Sequence, residues 1–175
     1  VVADIYYDEQ KKLFGEAKYF GGDPFHEGGN SKGIDISAAA SAIQQAMKKV
    51  NPDAIWVIQG WGHNPSTALL KGIKPKEAII LDLMACARPQ WGGVPTSIYH
   101  KKDGYFEHDW IWCALPNFGG RIGMYGKLDS YATGSVKARM HPMGKHISGI
   151  GTIPEGIGTN PIDYDIMYDM AWRKD

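Results

Sequence analysis

Ala54-Ile55-Trp56-Val57-Ile58-Gln59-Gly60-Trp61 is a continuous apolar run bounded by turn residues, Asn51-Pro52-Asp53 before it and Asn64-Pro65 shortly after. Successive residues of a strand point to opposite faces. A run that is apolar at nearly every position therefore suits a buried strand of a parallel sheet, covered on both sides. Three further runs read the same way: Ala78 to Met84, Trp110 to Leu115 and His146 to Ile153. Tyr19 to Phe25 reads as the end of another strand, closed by Gly21, Gly22 and Pro24. Between these runs the spacing changes to a helical one. Ile43, Met47 and Val50 share a face of a helix over about 38–50, with Asp35 or Ser37 as its cap. A short helix opens at Asn64-Pro65-Ser66 and ends near Gly72, and another covers about 127–140. The last starts near Asn160-Pro161 and carries Ile162, Ile166 and Met170 on one stripe, while residues 1–16 read as the end of a helix. Residues 86–109 look irregular, with a small hairpin expected around Lys102-Asp103-Gly104. Strands alternating with helices make the fold class α/β, a parallel sheet with helices outside it. A complete eight-stranded barrel takes about 250 residues. About five strands in 175 residues therefore predict an open sheet or part of a larger barrel.

The composition narrows the function. Hydrophobic residues are 43% and charged residues 22% of the chain, enough for a real core and a single domain over 1–175. Lys+Arg and Asp+Glu are both 19, and no basic block stands out, which argues against nucleic acid as a partner. No apolar run nears the ~20 residues of a membrane span. The chain opens Val1-Val2-Ala3-Asp4, with neither an initiating Met nor a signal peptide, so it reads as a mature product, an excised piece or a fragment. Cys86 and Cys113 sit in apolar runs and read as buried free thiols. The histidines share no metal spacing. Gly119-Gly120-Arg121-Ile122-Gly123 lacks the Lys of a phosphate loop, so neither metal nor cofactor is expected.

The polar signals collect where strands end: Glu27, Gln59 to Asn64, Asp82, Asn117 and Glu155. In a parallel barrel the carboxyl ends of the strands are where chemistry happens. Of six glutamates, only Glu27 and Glu155 both follow a strand and precede Gly, in Phe25-His26-Glu27-Gly28-Gly29 and Ile153-Pro154-Glu155-Gly156. Glycine at such a place lets a ligand approach the backbone. Glycoside hydrolysis needs two carboxylates flanking one bond, one to protonate the leaving oxygen and one to act as nucleophile or to activate water. The plain alternative is a pair of loop glutamates with local hydrogen bonds. Trp61 and Trp91 stand at breakers and suit exposed platforms for a flat ligand face, whereas Trp110 and Trp112 suit the core. A carbohydrate-binding module without catalysis would use the same platforms but would not need the carboxylate pair.

Six segments together resemble the central catalytic region of α-N-acetylglucosaminidases, glycoside hydrolase family 89. They are Gly22-Asp23-Pro24-Phe25-His26-Glu27, Trp56 to Trp61, Ile80-Leu81-Asp82-Leu83, Trp110-Ile111-Trp112-Cys113 with Asn117-Phe118-Gly119-Gly120, Pro154-Glu155-Gly156-Ile157, and Trp172-Arg173-Lys174-Asp175. The resemblance implies a partial (β/α)8 barrel of about five strands. It also implies retaining hydrolysis of a glycan with terminal α-linked N-acetylglucosamine, in a secreted, periplasmic or lysosomal setting. On it Glu27 falls on the acid/base and Glu155 on the nucleophile. Trp61, His26, Asp82 and Asn117 become candidates for holding the sugar. His26 departs from the Asn that some members carry there, and could donate to the sugar's 2-substituent or tune Glu27. A small N-terminal domain and a larger helical C-terminal domain normally flank the family's barrel, and both are expected to be absent here. The broad barrel-glycosidase pattern leaves two strands between acid/base and nucleophile, whereas the apolar runs give three.

Overall fold

The computed structural model describes residues 2–27, 29–120, 128–158 and 160–174. The chain runs α1 (Val2–Phe14), β1 (Tyr19–Gly21), α2 (Ile36–Val50), β2 (Ile55–Gly60), α3 (Thr67–Gly72), β3 (Ala78–Asp82), β4 (Asp109–Ala114), α4 (Leu128–Met140), β5 (Ile147–Thr152) and α5 (Pro161–Met170). The five strands form one sheet in the order β1-β2-β3-β4-β5. Every neighbouring pair is parallel. Five parallel strands are the number that the apolar runs give and the partial barrel that the resemblance implies, and three strands do separate β1 from β5.

Local chemistry sets the helix starts. Asp35 caps α2 by accepting from Ala38 N at 3.0 Å. Ser66 caps α3 from Leu69 N, and Asn160 caps α5 from Ile162 N. Ser37, the other candidate cap, instead donates its hydroxyl to Ala68 O and ties α2 to α3.

The two faces of the sheet differ. Trp56, Ile58, Ala78, Ile80, Trp110, Trp112 and Ala114 point under the helices and pack with Met47, Leu70, Tyr131, Ala138 and Met167. Their alternates, Ile55, Val57, Ile79, Leu81 and Ile111, are half-buried, and Gln59 is exposed. Among the described residues helices cover only one face, where the sequence reading expected cover on both. In a barrel that second face is the lumen, filled by side chains from strands all round the ring.

Three other expectations change. No hairpin forms at 102–104. Residues 83–108 are a string of turns held to the sheet by side chains rather than by a ladder. Trp91 is no platform: it is 4% exposed and stacks on Trp110 with centroids 5.6 Å apart. On α5 the buried positions are Asp163 and Met167. Ile162 faces out, because the helix is rotated from the stripe that its isoleucines suggest. Trp110, Trp112, Cys86 and Cys113 are buried as expected, and both thiols are free.

Candidate active site

β1 is short, and its ladder with β2 ends at the Gly21–Val57 pair. Beyond it Asp23 takes over the role of a strand carbonyl, with Oδ1 accepting from Gln59 N at 2.7 Å. Burial pushes the Asp23 carboxyl upward, opposed by that N–H and by the neighbouring His26. The contact pins residues 23–27 above the end of β2. The turn there is tight: Gly29 N donates to His26 O. Phe25 and Glu27 take φ of 64° and 44°, a region that side-chain-bearing residues rarely enter. Glu27 is exposed. Gly28 lies outside the described residues.

His26 and Trp61 meet. Their rings stand edge to face, with centroids 4.8 Å apart. His26 Nε2 has no hydrogen-bond partner. Trp61 follows β2 directly and lies against a small apolar cluster of Leu81, Leu83, Met84, Leu115 and Ile153. It is half-buried, so one part of the ring is anchored and another is open.

On the other edge of the sheet, Glu155 follows β5. Its Oε2 accepts from Gly119 N at 2.5 Å, and its own N donates to Asn117 O. Asn117 is buried and donates its Nδ2 to Gly158 O at 2.6 Å. It therefore acts as a strut beneath the Glu155 loop, with Oδ1 left unpartnered. Gly156 fits against it closely. A Cβ there would lie 3.0 Å from Asn117 Nδ2 and 3.1 Å from Gly120 Cα. The glycine after the glutamate thus serves a close approach of the protein's own strut, where the sequence reading expected a ligand.

Glu27 and Glu155 share the carboxyl end of the sheet but stand on its two edge strands, four ladder steps apart. Asp82 lies elsewhere. It follows the parity of Ala78 and Ile80, on the helix-covered face. Its Oδ2 accepts from Gln90 N at 2.8 Å and Trp91 N at 3.1 Å. Full burial pushes its pKa up to about 7, against the pull of those two N–H groups, of the nearby Tyr105 and of Lys101. Its Oδ1 and the Tyr105 hydroxyl both lack a hydrogen bond of good geometry. Sequence reasoning missed Asp23, Gln90 and Lys101 as site-building residues. Asp23 carried a signal, a carboxylate before Pro at a strand end. Gln90 and Lys101 carried none.

A depression of about 520 Å³ opens at the opposite, amino end of the strands, between Gln44, Lys48 and Lys49 of α2 and Lys74 and Glu77 ahead of β3. It is the wrong end of the sheet for the strand-end carboxylates. Where those stand, five strands wall the mouth of a barrel on one side only.

A parallel βα sheet with its polar residues gathered at the carboxyl strand ends defines the chain as part of a barrel of the (β/α)8 type. Residues 1–174 match the alpha-N-acetylglucosaminidase (NAGLU) tim-barrel domain, and the chain belongs to that family. It is 31% identical to human alpha-N-acetylglucosaminidase over 186 aligned positions, which take in 100% of this chain and 24% of the human protein. It also superimposes on a Family 89 Glycoside Hydrolase from Clostridium perfringens in complex with 2-acetamido-1,2-dideoxynojirmycin, at TM-score 0.84 and 40% identity over 99% of this chain and 19% of that one. The same likeness holds for a form of the Clostridium perfringens protein with two glutamates changed to glutamine, in complex with its substrate GlcNAc-alpha-1,4-galactose. The chain thus spans about a quarter or less of the length of these relatives.

Proposed function

We propose that this chain is the central part of the catalytic barrel of a retaining glycoside hydrolase that releases terminal α-linked N-acetylglucosamine. The observation that carries this reading is the placement of Glu27 and Glu155 at the same end of one parallel sheet, on its two edge strands. Closing that sheet to eight strands sets them on opposite walls of one mouth, since four steps is half of eight. Retention then calls for carboxyl groups about 5–5.5 Å apart in the closed barrel. The relative trapped with its substrate after two glutamates were changed to glutamine supports a two-glutamate mechanism.

In the first step the Glu155 carboxylate attacks the anomeric carbon and forms an ester. The glycosidic C–O bond breaks, and Glu27 gives its proton to the leaving oxygen. In the second step Glu27 takes a proton from water. The water oxygen attacks the anomeric carbon and the ester to Glu155 breaks. Gly119 N–H on Oε2 orients the nucleophile and leaves Oε1 for the sugar. Trp61 offers its open part to the sugar face, and the His26 imidazole, edge-on to it, is the candidate neighbour of the 2-acetamido group. The remaining barrel walls, and the flanking small N-terminal and larger helical C-terminal domains, belong to the rest of the polypeptide. The family resemblance carries a secreted, periplasmic or lysosomal setting with it.

The test uses the full-length enzyme. Glu155→Gln should abolish glycosyl-enzyme formation. Glu27→Gln should spare that step for substrates with good leaving groups, which need no proton. Equal loss on activated and natural α-N-acetylglucosaminides in Glu27→Gln counts against the acid/base role. Binding without turnover in the wild type would return the carbohydrate-binding module.

A further inference from the structure

Trp61 sits on a loop, residues 61–66, that two side chains from the distant 83–108 segment grip. Gln90 is 1% exposed and donates Nε2 to Gly62 O at 3.1 Å. Lys101 is partly buried and donates Nζ to Pro65 O at 3.0 Å, with His63 O at 3.5 Å. The two grips are joined to each other, since Lys101 N donates to Gln90 O. The Gln90 side leads back to the end of β3, where the Asp82 carboxyl accepts from Gln90 N and Trp91 N. Gln90 and Lys101 thus form a bracket that holds the first and the last turn of the Trp61 loop.

We propose that Gln90 and Lys101 are positioning residues for the sugar platform: through Gly62 and Pro65 they fix the height and tilt of Trp61 against His26. The role rests on the function proposed above. A loop that frees Trp61 loses a preorganised stacking face, and the cost falls on substrate binding. The glutamates are carried by other loops, so the chemical step is spared.

The experiment takes Gln90→Leu, Lys101→Met and Lys101→Arg in the full-length enzyme, with two readouts. Asn64 N donates to Trp61 O and closes the loop. Hydrogen exchange of the Asn64 amide therefore reports the bracket without any need for activity. Steady-state kinetics on a defined α-N-acetylglucosaminide report its consequence. One lost, partly buried hydrogen bond predicts about three- to tenfold faster Asn64 exchange, and a rise in KM of the same order, for Gln90→Leu and for Lys101→Met. The expected kcat stays within about twofold, the split that marks lost binding rather than lost chemistry. Lys101→Arg, which keeps a donor, should restore both values. Unchanged exchange in both disruptive variants overturns the bracket. Faster exchange with unchanged KM in an active enzyme overturns the positioning role alone. A wild type that does not cleave the α-glycoside overturns the function reading and the role with it.

Discussion

Asp82 is buried among groups that cannot all be satisfied by a charge. Lys101, Tyr105, Cys86 and Cys113 surround it, and the thiols are pushed up by burial, so they stay neutral near pH 7. Desolvation dominates and raises its pKa to about 7, from an ordinary value near 4. The folded chain therefore holds a proton that the unfolded chain has released. The stability this contributes is fully present below about pH 4 and is lost as pH rises through about 7. Asp23 and Asp163 are raised by burial too and act in the same sense. Thermal melts across pH 4–8 should show the melting temperature falling toward the alkaline end, and Asp82→Asn should flatten part of that slope. The amide oxygen can still accept from Gln90 and Trp91 while its NH2 faces Tyr105. A slope identical to wild type would remove Asp82 as its source. At Gly156, the predicted cost of Gly156→Ala is about 1–3 kcal/mol from overpacking against Asn117 and Gly120. Activity should drop by more than denaturant stability does, because the Glu155 loop is what has to shift.

Among the elements, α2 and α3 are held close by a single residue. Gly72 ends α3 where a Cβ would lie 2.3 Å from Ser37 O and 2.7 Å from Ser37 Cα. Both of those atoms are backbone, so no side-chain rotation relieves the clash. Gly72→Ala must push the first turn of α2 away from α3 and break the Ser37 Oγ to Ala68 O bond. Urea denaturation should show a loss of about 2 kcal/mol or more. A neutral result would mean that the two helices are free to separate. The same logic explains why Asp35 caps α2: Ser37 is already spent on its neighbour helix. At the other end of the sheet, β1 needs only three residues because Asp23 continues its ladder with a side chain. A strand that hands over to a carboxylate can turn out over its neighbour at once, and this delivers His26 to Trp61.

At the scale of the molecule, the five parallel strands leave two edges and one face without cover among the described residues. A sheet edge offers unpaired N–H and C=O groups to any other strand. The uncovered face shows Tyr19, Ile55, Val57 and Ile79, and α1 adds Val2, Ile5, Leu13 and Phe14. Residues 1–175 expressed alone should elute as oligomers or aggregates in sizing with light scattering, and should turn over an activated α-N-acetylglucosaminide little or not at all. Catalysis needs groups placed to within about an ångström, and half a mouth does not place them. A monomer with a cooperative melt and turnover near that of a full-length relative would overturn this expectation.

Periodicity alone carried the strands, the helices and their order, because backbone pairing and helix caps depend on residues near each other in sequence. Ala54 to Trp61 shows its apolar run whatever surrounds it, and Asp35, Ser66 and Asn160 cap within three residues of themselves. The place of Glu155 just past β5 was legible for the same reason, as was the burial of Trp110 and Trp112, whereas β1 ends at Gly21, well before Glu27, and not at Phe25 as its aromatic run suggests. Packing over long sequence distance decided the rest. Trp91 became a core residue because Trp110, nineteen positions on, offered a ring to stack on. Asp82 turned to the covered face because strand parity, not chemistry, sets the direction of a side chain. Asn117 and Gly156 became strut and socket only when β4 and β5 lay side by side. The bracket of Gln90 and Lys101 on the Trp61 loop had no signal in the sequence, since its carbonyl acceptors belong to the backbone, which every residue supplies alike.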